Sequence, residues 1–283
     1  MVAFEVSYMT RIKLKVKYRS ETKCLLGEGI DLHNESGKIA WVDIELGRVI
    51  VSDLKMSKEE IYDDFIFPTK TFFDETGELF VLHQQGISKF YAESQAFKIE
   101  SKWPFTMDGL RFNDATRIDD KTYCVSTMST KGISGAGTLW LWSIDGNPIK
   151  LVSNLDIPNS TVYDSLLDRL YYCDSKTGVI SFLALNMGNP DPNSQVLSED
   201  GIGEPDGSTI DEIGNLWNCR WDGRCILIFD TNGIQIEKIE LPTARPTSCK
   251  LSINDNSLVV TSASLDSNSI DGHTVVYQIL TSL

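Results

Sequence analysis

The 283-residue chain lacks any apolar run near the roughly 18 residues that would cross a membrane as a helix. Its first twenty residues, MVAFEVSYMTRIKLKVKYRS, carry charges every few positions and no apolar centre of secretory length, so they do not read as a signal peptide. Basic residues are in deficit: 26 Lys and Arg against 40 Asp and Glu give a net charge of −14. Nucleic acid and anionic membrane surfaces, which need clustered positive charge, are therefore excluded as partners. Six cysteines (24, 124, 173, 219, 225, 249) are scattered without CxxC spacing, and several fall inside strand patterns. They read as buried free thiols of a reducing compartment, which points to the cytoplasm. Three histidines (33, 83, 273) share no motif spacing, and no serine lies in a G-x-S-x-G turn. A covalent-nucleophile hydrolase is disfavoured on these grounds. Helical periodicity is missing as well, since no segment sustains it over three turns.

What is present is a repeat. Six short apolar strand cores begin at Ile39, Leu79, Tyr123, Leu170, Leu216 and Leu258, spaced by 40, 44, 47, 46 and 42 residues. Periods of this length with several strands per unit are the signature of a β-propeller. Each core runs through a turn into a second strand, as Trp41-Val42-Asp43 runs through Leu46-Gly47 into Arg48-Val49-Ile50-Val51. Asp, Asn and Gly cluster before the cores, as in Asp74-Glu75-Thr76-Gly77 and Asp211-Glu212-Ile213-Gly214-Asn215, where hairpin turns need them. The expected fold is an all-β, six-bladed propeller occupying 1–283 as one domain. Seven blades would need a repeat that the sequence does not contain. The basic, alternating segment around Lys13–Tyr18 lies outside the count, and residues 1–20 are expected to supply a closing strand for the last blade.

Polar residues recur at one phase of this repeat. Glu28 and Asn159 stand 11 residues before their anchors, and Asn113 and Asp206 stand 10 before theirs. Equal phase in a closed ring means one level and one face, so four blades aim oxygen-bearing side chains at a common point. The other two blades place the neutral pairs Pro68-Thr69 and Thr247-Ser248 there. Two carboxylates and two amides, with no Cys or His, suit a hard divalent cation such as Ca²⁺, Mg²⁺ or Mn²⁺. Zn²⁺ would lack its preferred nitrogen and sulfur ligands there. Arg111 lies two residues before Asn113, on the same strand face.

These segments resemble the senescence marker protein/gluconolactonase/luciferin-regenerating-enzyme family. The matching pieces are Leu26-Gly27-Glu28-Gly29, Trp41-Val42-Asp43-Ile44, Arg111-Phe112-Asn113-Asp114, Ser126-Thr127-Met128, Pro158-Asn159 and Glu204-Pro205-Asp206-Gly207, followed by Gly214-Asn215-Leu216-Trp217 and Pro246-Thr247-Ser248-Cys249. They run in family order over nearly the whole chain. The resemblance implies a propeller with one divalent ion in its central channel, held by Glu28, Asn159 and Asp206. It further implies that Arg111 and Asn113 face the substrate and that Asp206 serves as base in lactone hydrolysis. Departures from the family pattern include Ile30, Leu32, Ala115, Ser160 and the run Ser129-Thr130-Lys131, and they bear on substrate identity rather than on the ligands.

The expected function is hydrolysis of a small-molecule sugar lactone such as gluconolactone, with Ca²⁺ as the favoured ion and Mg²⁺, Mn²⁺ or Zn²⁺ as alternatives. Two other readings are compatible with the same residues: a phosphotriesterase-like metal hydrolase, and a non-catalytic calcium- or ligand-binding propeller. Oligomeric state is not legible from the sequence.

Overall fold

The computed structural model of the chain describes residues 11–186, 191, 195–198, 202–264 and 271–282. The chain begins with β1 (Arg11–Lys23) and then lays down strands in groups of four. Blade 1 is β2 (Gly27–His33), β3 (Lys38–Asp43), β4 (Arg48–Asp53) and β5 (Glu60–Tyr62). Blade 2 is β6 (Lys70–Phe73), β7 (Leu79–His83), β8 (Gly86–Tyr91) and β9 (Ala96–Lys102). Blade 3 is β10 (Leu110–Arg117), β11 (Thr122–Ser129), β12 (Gly137–Ser143) and β13 (Ile149–Leu155). Blade 4 is β14 (Pro158–Asp164), β15 (Arg169–Asp174), β16 (Val179–Ala184) and β17 (Gln195–Ser198). Blade 5 is β18 (Glu204–Ile210), β19 (Leu216–Trp221), β20 (Cys225–Phe229) and β21 (Gln235–Glu240). Blade 6 takes β22 (Pro246–Ser252), β23 (Ser257–Ser262) and β24 (His273–Ser282) from the end of the chain and β1 from its start.

The architecture is an all-β propeller of six four-stranded antiparallel sheets. In blade 6 the outer strand is β1, paired from Arg11 with Ser282 to Lys23 with His273, so two ends of the chain share one sheet. Residues 1–10 of the closing segment lie outside the described residues. Successive inner strands pack side by side, and β22 packs against β2 to complete the ring. Closure matters because it leaves no raw inner edge between the first and last blades.

Turn chemistry sets the hairpins. Asp74, Asp211 and Asp230 each accept backbone N–H bonds through Oδ1 from the residues two and four positions on. Each is followed three residues later by a glycine in the left-handed region, Gly77, Gly214 and Gly233. This is why Asp-x-x-Gly recurs before or after strand cores.

Apolar residues pack between blades rather than in one central mass. Blades 2 and 3 share Phe72, Trp103, Phe112 and Trp142, with Trp103 edge-on to Phe112 and Trp142 at centroid distances of 5.1 Å. Blades 5 and 6 share Trp217, Ile226, Leu258 and Val260. Such rings contribute through buried area and add about 0.5–1.5 kcal/mol per aromatic pair. The six cysteines are all buried and free. No helix of the described residues is long and apolar enough to cross a membrane.

Candidate functional site

The inner strands are not regular, and their irregularity makes the site. Between Glu28 and Asp31, β2 carries one more residue than its partner β3. The same single-residue bulge recurs in β10 after Phe112, in β14 after Asn159, in β18 after Pro205 and in β22 after Pro246. A bulge bends its strand and re-aims the side chain beside it. Here it sits against each of the four polar residues found by phase. Glycine is required at two of these bulges by the neighbouring blade: a Cβ on Gly29 would fall 2.2 Å from the Thr69 carbonyl oxygen, and one on Gly207 2.7 Å from that of Thr247. Ser160 fills the equivalent place in β14 with φ +58°, and its hydroxyl bonds Ser208 Oγ of the next blade at 2.6 Å.

Hydrogen bonds between blades fix the strands at this level. In four cases the carbonyl just before a site residue accepts a bond from the preceding blade. Thr247 Oγ1 donates to Gly27 O, Thr69 Oγ1 to Phe112 O at 3.3 Å, Asn113 Nδ2 to Pro158 O at 3.0 Å, and Ser175 Oγ to Pro205 O at 2.7 Å. Thr69 and Thr247 thus serve the ring as spacers between blades. Asn113 also donates to Asn159 Oδ1 at 2.9 Å, and Asn159 Nδ2 donates to Ser175 Oγ at 3.2 Å. Asp206 is held through its backbone by Asn218 Nδ2, at 2.9 Å from Asp206 O. Asn218 is in turn braced by Arg220, whose fully buried guanidinium donates to Asn218 Oδ1 and to the carbonyls of Ile202 and Gly203.

Glu28, Arg111, Asn113, Asn159 and Asp206 all line one cavity of about 220 Å³. Glu28, Asn113, Asn159 and Asp206 are buried. Glu28 Oε2 accepts from the Gly29 amide at 2.9 Å, whereas Asp206 Oδ1 has no hydrogen-bond partner. Burial pushes the Glu28 carboxyl up to about 7, with the negative charge of Asp114 adding to it. Burial also raises Asp206 well above its ordinary value, and the charge of Glu28 is the next cause. Two desolvated carboxylates with an orphaned oxygen need a proton or a cation between them. The donor set therefore fits a divalent ion, with hard oxygens from two carboxylates and an amide. It contains only two acidic groups, and among the described residues no three His, Cys, Asp or Glu side chains are gathered as a metal cluster.

Arg111 is half-buried, and its guanidinium donates to Phe112 O at 2.8 Å. Burial lowers its pKa, opposed by the charges of Glu28, Glu45 and Asp206. Asp114 does not line the cavity; it accepts from the Thr161 amide at 2.8 Å and pairs with Lys70 at 3.6 Å, so it ties blade 3 to blades 4 and 2. None of the three histidines lines the cavity.

The rest of the lining obeys the repeat too. Two residues before each floor residue stand Leu26, Arg111, Ile157 and Glu204. Five residues after the corresponding anchors stand Ile44, Met128, Ser175 and Trp221. The two sets face each other across β-ladders: Arg111 pairs with Met128, Glu204 with Trp221, while Ile44 N bonds Leu26 O and Ser175 N bonds Ile157 O, both at 3.0 Å. Counting forward from the anchors as well as backward would have found them. Lys176 completes the rim, paired with Glu204 at 3.0 Å.

The sequence profile of the SMP-30/gluconolactonase/LRE-like region matches residues 26–264, the span that carries all of these positions. The chain belongs to this family. It is 25% identical over 260 residues to the pentonolactonase XacC of Haloferax volcanii, covering 89% of this chain and 86% of that protein. It is 27% identical over 257 residues to the L-arabinolactonase of Azospirillum brasilense, covering 86% and 83%. Among solved structures, a calcium-binding regucalcin from Agrobacterium tumefaciens superposes with a TM-score of 0.84 at 24% identity, covering 94% of this chain and 95% of that one. That likeness shows the fold.

Proposed function

We propose that the protein is a divalent-metal-dependent lactonase that opens small sugar lactones to their hydroxy acids. The observation that carries this reading is the buried pair Glu28 and Asp206, with an unpartnered oxygen, at the floor of a cavity built by four blades. The lactonase relatives support the substrate class. Glu28, Asn159 and Asp206 would hold the ion, Ca²⁺ before Mg²⁺, Mn²⁺ or Zn²⁺. A divalent ion bound there polarises a carbonyl oxygen and lowers the pKa of adjacent water.

The remaining work falls to the chain's own groups. Arg111 offers guanidinium donors to ring hydroxyl and carbonyl oxygens. Asn113 has both amide protons committed to Pro158 and Asn159, so it meets substrate only through Oδ1 while it positions Asn159. Asp206 takes a proton from water as the water oxygen bonds to the lactone carbonyl carbon. The bond from that carbon to the ring oxygen then breaks, and the ring oxygen leaves as a hydroxyl with the proton returned by Asp206. A lactone ester needs little beyond a placed water, a base and charge stabilisation. The buried free thiols support residence in a reducing compartment such as the cytoplasm.

Acid release from a panel of aldonolactones, measured after chelation and after metal add-back, tests the reading. Turnover should vanish and return. Undiminished turnover in metal-free protein would contradict metal dependence, and no turnover with any lactone in any metal would contradict the activity.

A further inference from the structure

The cavity floor is polar, but its wall is not. Five of the thirteen lining residues are Leu26, Ile44, Met128, Ile157 and Trp221, contributed by blades 1, 3, 4 and 5. Of the polar groups at wall level, Ser175 is committed already. The Ser175 hydroxyl proton goes to Pro205 O at 2.7 Å while its oxygen accepts from Asn159. Lys176 and Glu204 pair at 3.0 Å, and both stay partly exposed to solvent at the rim. The Arg245 guanidinium stacks over Trp221, 4.7 Å from its ring centroid, and Arg245 is itself paired with Asp222 at 2.7 Å. Arg111 spends one donor on Phe112 O and lines the cavity close enough to the floor to interact with the charges of Glu28 and Asp206.

A ligand seated with its carbonyl at the floor therefore meets the Arg111 donors on one side and hydrocarbon over much of the remaining wall. A cavity of about 220 Å³ lies below the roughly 300 Å³ at which drug-sized sites begin, so it suits one small ring. Resting on the lactonase reading above, we infer that the preferred substrates are deoxy sugar lactones, whose ring hydroxyls are kept but whose exocyclic terminal carbon is a methyl. A terminal hydroxyl placed against Leu26, Ile44, Met128 and Ile157 would be stripped of water beside side chains that offer it no strong hydrogen bond. Apolar pockets discriminate against an added hydroxyl by up to about 10²-fold.

L-rhamnono-1,4-lactone and L-mannono-1,4-lactone differ only by the oxygen on carbon 6, so their kcat/KM ratio isolates the wall. With metal-loaded protein the rhamnonolactone should be favoured at least about tenfold. Met128→Gln, which places an amide opposite Arg111, should cut that ratio at least tenfold by improving the mannonolactone. Comparable rates on both lactones, or preference for the mannonolactone, would overturn the inference and leave the lactonase reading intact. A wild-type preference that Met128→Gln leaves unmoved, in a folded and metal-loaded variant, would overturn the assignment to this wall. Absence of turnover on these and on unsubstituted lactones would instead remove the lactonase reading on which the inference rests.

Discussion

Asn113 Nδ2 lies 2.9 Å from Asn159 Oδ1, so one amide at the cavity floor aims the other. The second Asn113 proton goes to Pro158 O, and the two residues belong to adjacent blades, 3 and 4. A substitution that keeps size but not donors should unseat Asn159. Asn113→Leu is expected to lose about 1–3 kcal/mol of stability through the buried acceptors it leaves. Metal affinity should fall in parallel, read by thermal melts and elemental analysis of the dialysed variant. Unchanged metal content would show that Asn159 needs no such support.

Glu28→Gln keeps the shape of the floor and removes one charge of the proposed ligand set. Metal affinity should weaken at least about tenfold, as charge count governs such sites. Isothermal titration of chelated protein with Ca²⁺ and Mn²⁺ measures it, and wild-type affinity would take Glu28 out of the ligand set.

Arg111→Met removes every donor of the guanidinium but little bulk. Lost hydrogen bonds to a polar ligand are worth on the order of 0.5–1.5 kcal/mol each. kcat/KM should drop about tenfold on lactones with ring hydroxyls and stay near wild type on unsubstituted ones, with metal content intact. Equal losses on both would make Arg111 a scaffold residue.

His83 gives a pH signature remote from the site. It is buried, bonds Ser88 Oγ at 2.8 Å, and burial lowers its pKa from 6.5 to about 4. The unfolded chain thus takes up a proton at a higher pH than the folded one. Its contribution is fully present above pH 6.5 and is lost as pH falls through the window toward 4. The loss is on the order of 3 kcal/mol at full extent, from about 1.4 kcal/mol per pKa unit. Denaturant midpoints from pH 7 to 4.5 should fall less steeply in His83→Gln than in the wild type. Parallel slopes would contradict a neutral, buried imidazole.

The repeat and the site floor were legible for one reason: each polar residue stands 10 or 11 residues before an apolar strand core, and type and position agree. The wall was not, because Ile44, Met128 and Trp221 look like any strand residue until the ladder places them opposite Leu26, Arg111 and Glu204. The bulges were hidden too. They are backbone events with no shared residue, since Gly29, Asp114, Ser160 and Gly207 follow the four floor positions. Thr69 and Thr247 read as neutral fillers at the phase of the floor residues, although their hydroxyls hold neighbouring carbonyls in place. Arg220 gave no signal at all. A charged residue inside a strand is ordinarily exposed, and three acceptors, the carbonyls of Ile202 and Gly203 and Asn218 Oδ1, explain its burial.

In the proposed mechanism Asp206 joins the metal set to the chemistry, and one variant separates the two proposed roles. Asp206→Asn retains an oxygen donor for the ion but cannot accept a proton from water. The decisive measurement is single-turnover lactone opening by this variant, loaded with metal and matched in metal content to the wild type. General-base catalysis contributes typically about 10²–10⁴-fold, so the rate should fall by that factor. A metal-loaded Asp206→Asn protein that opened lactone at the wild-type rate would contradict the account.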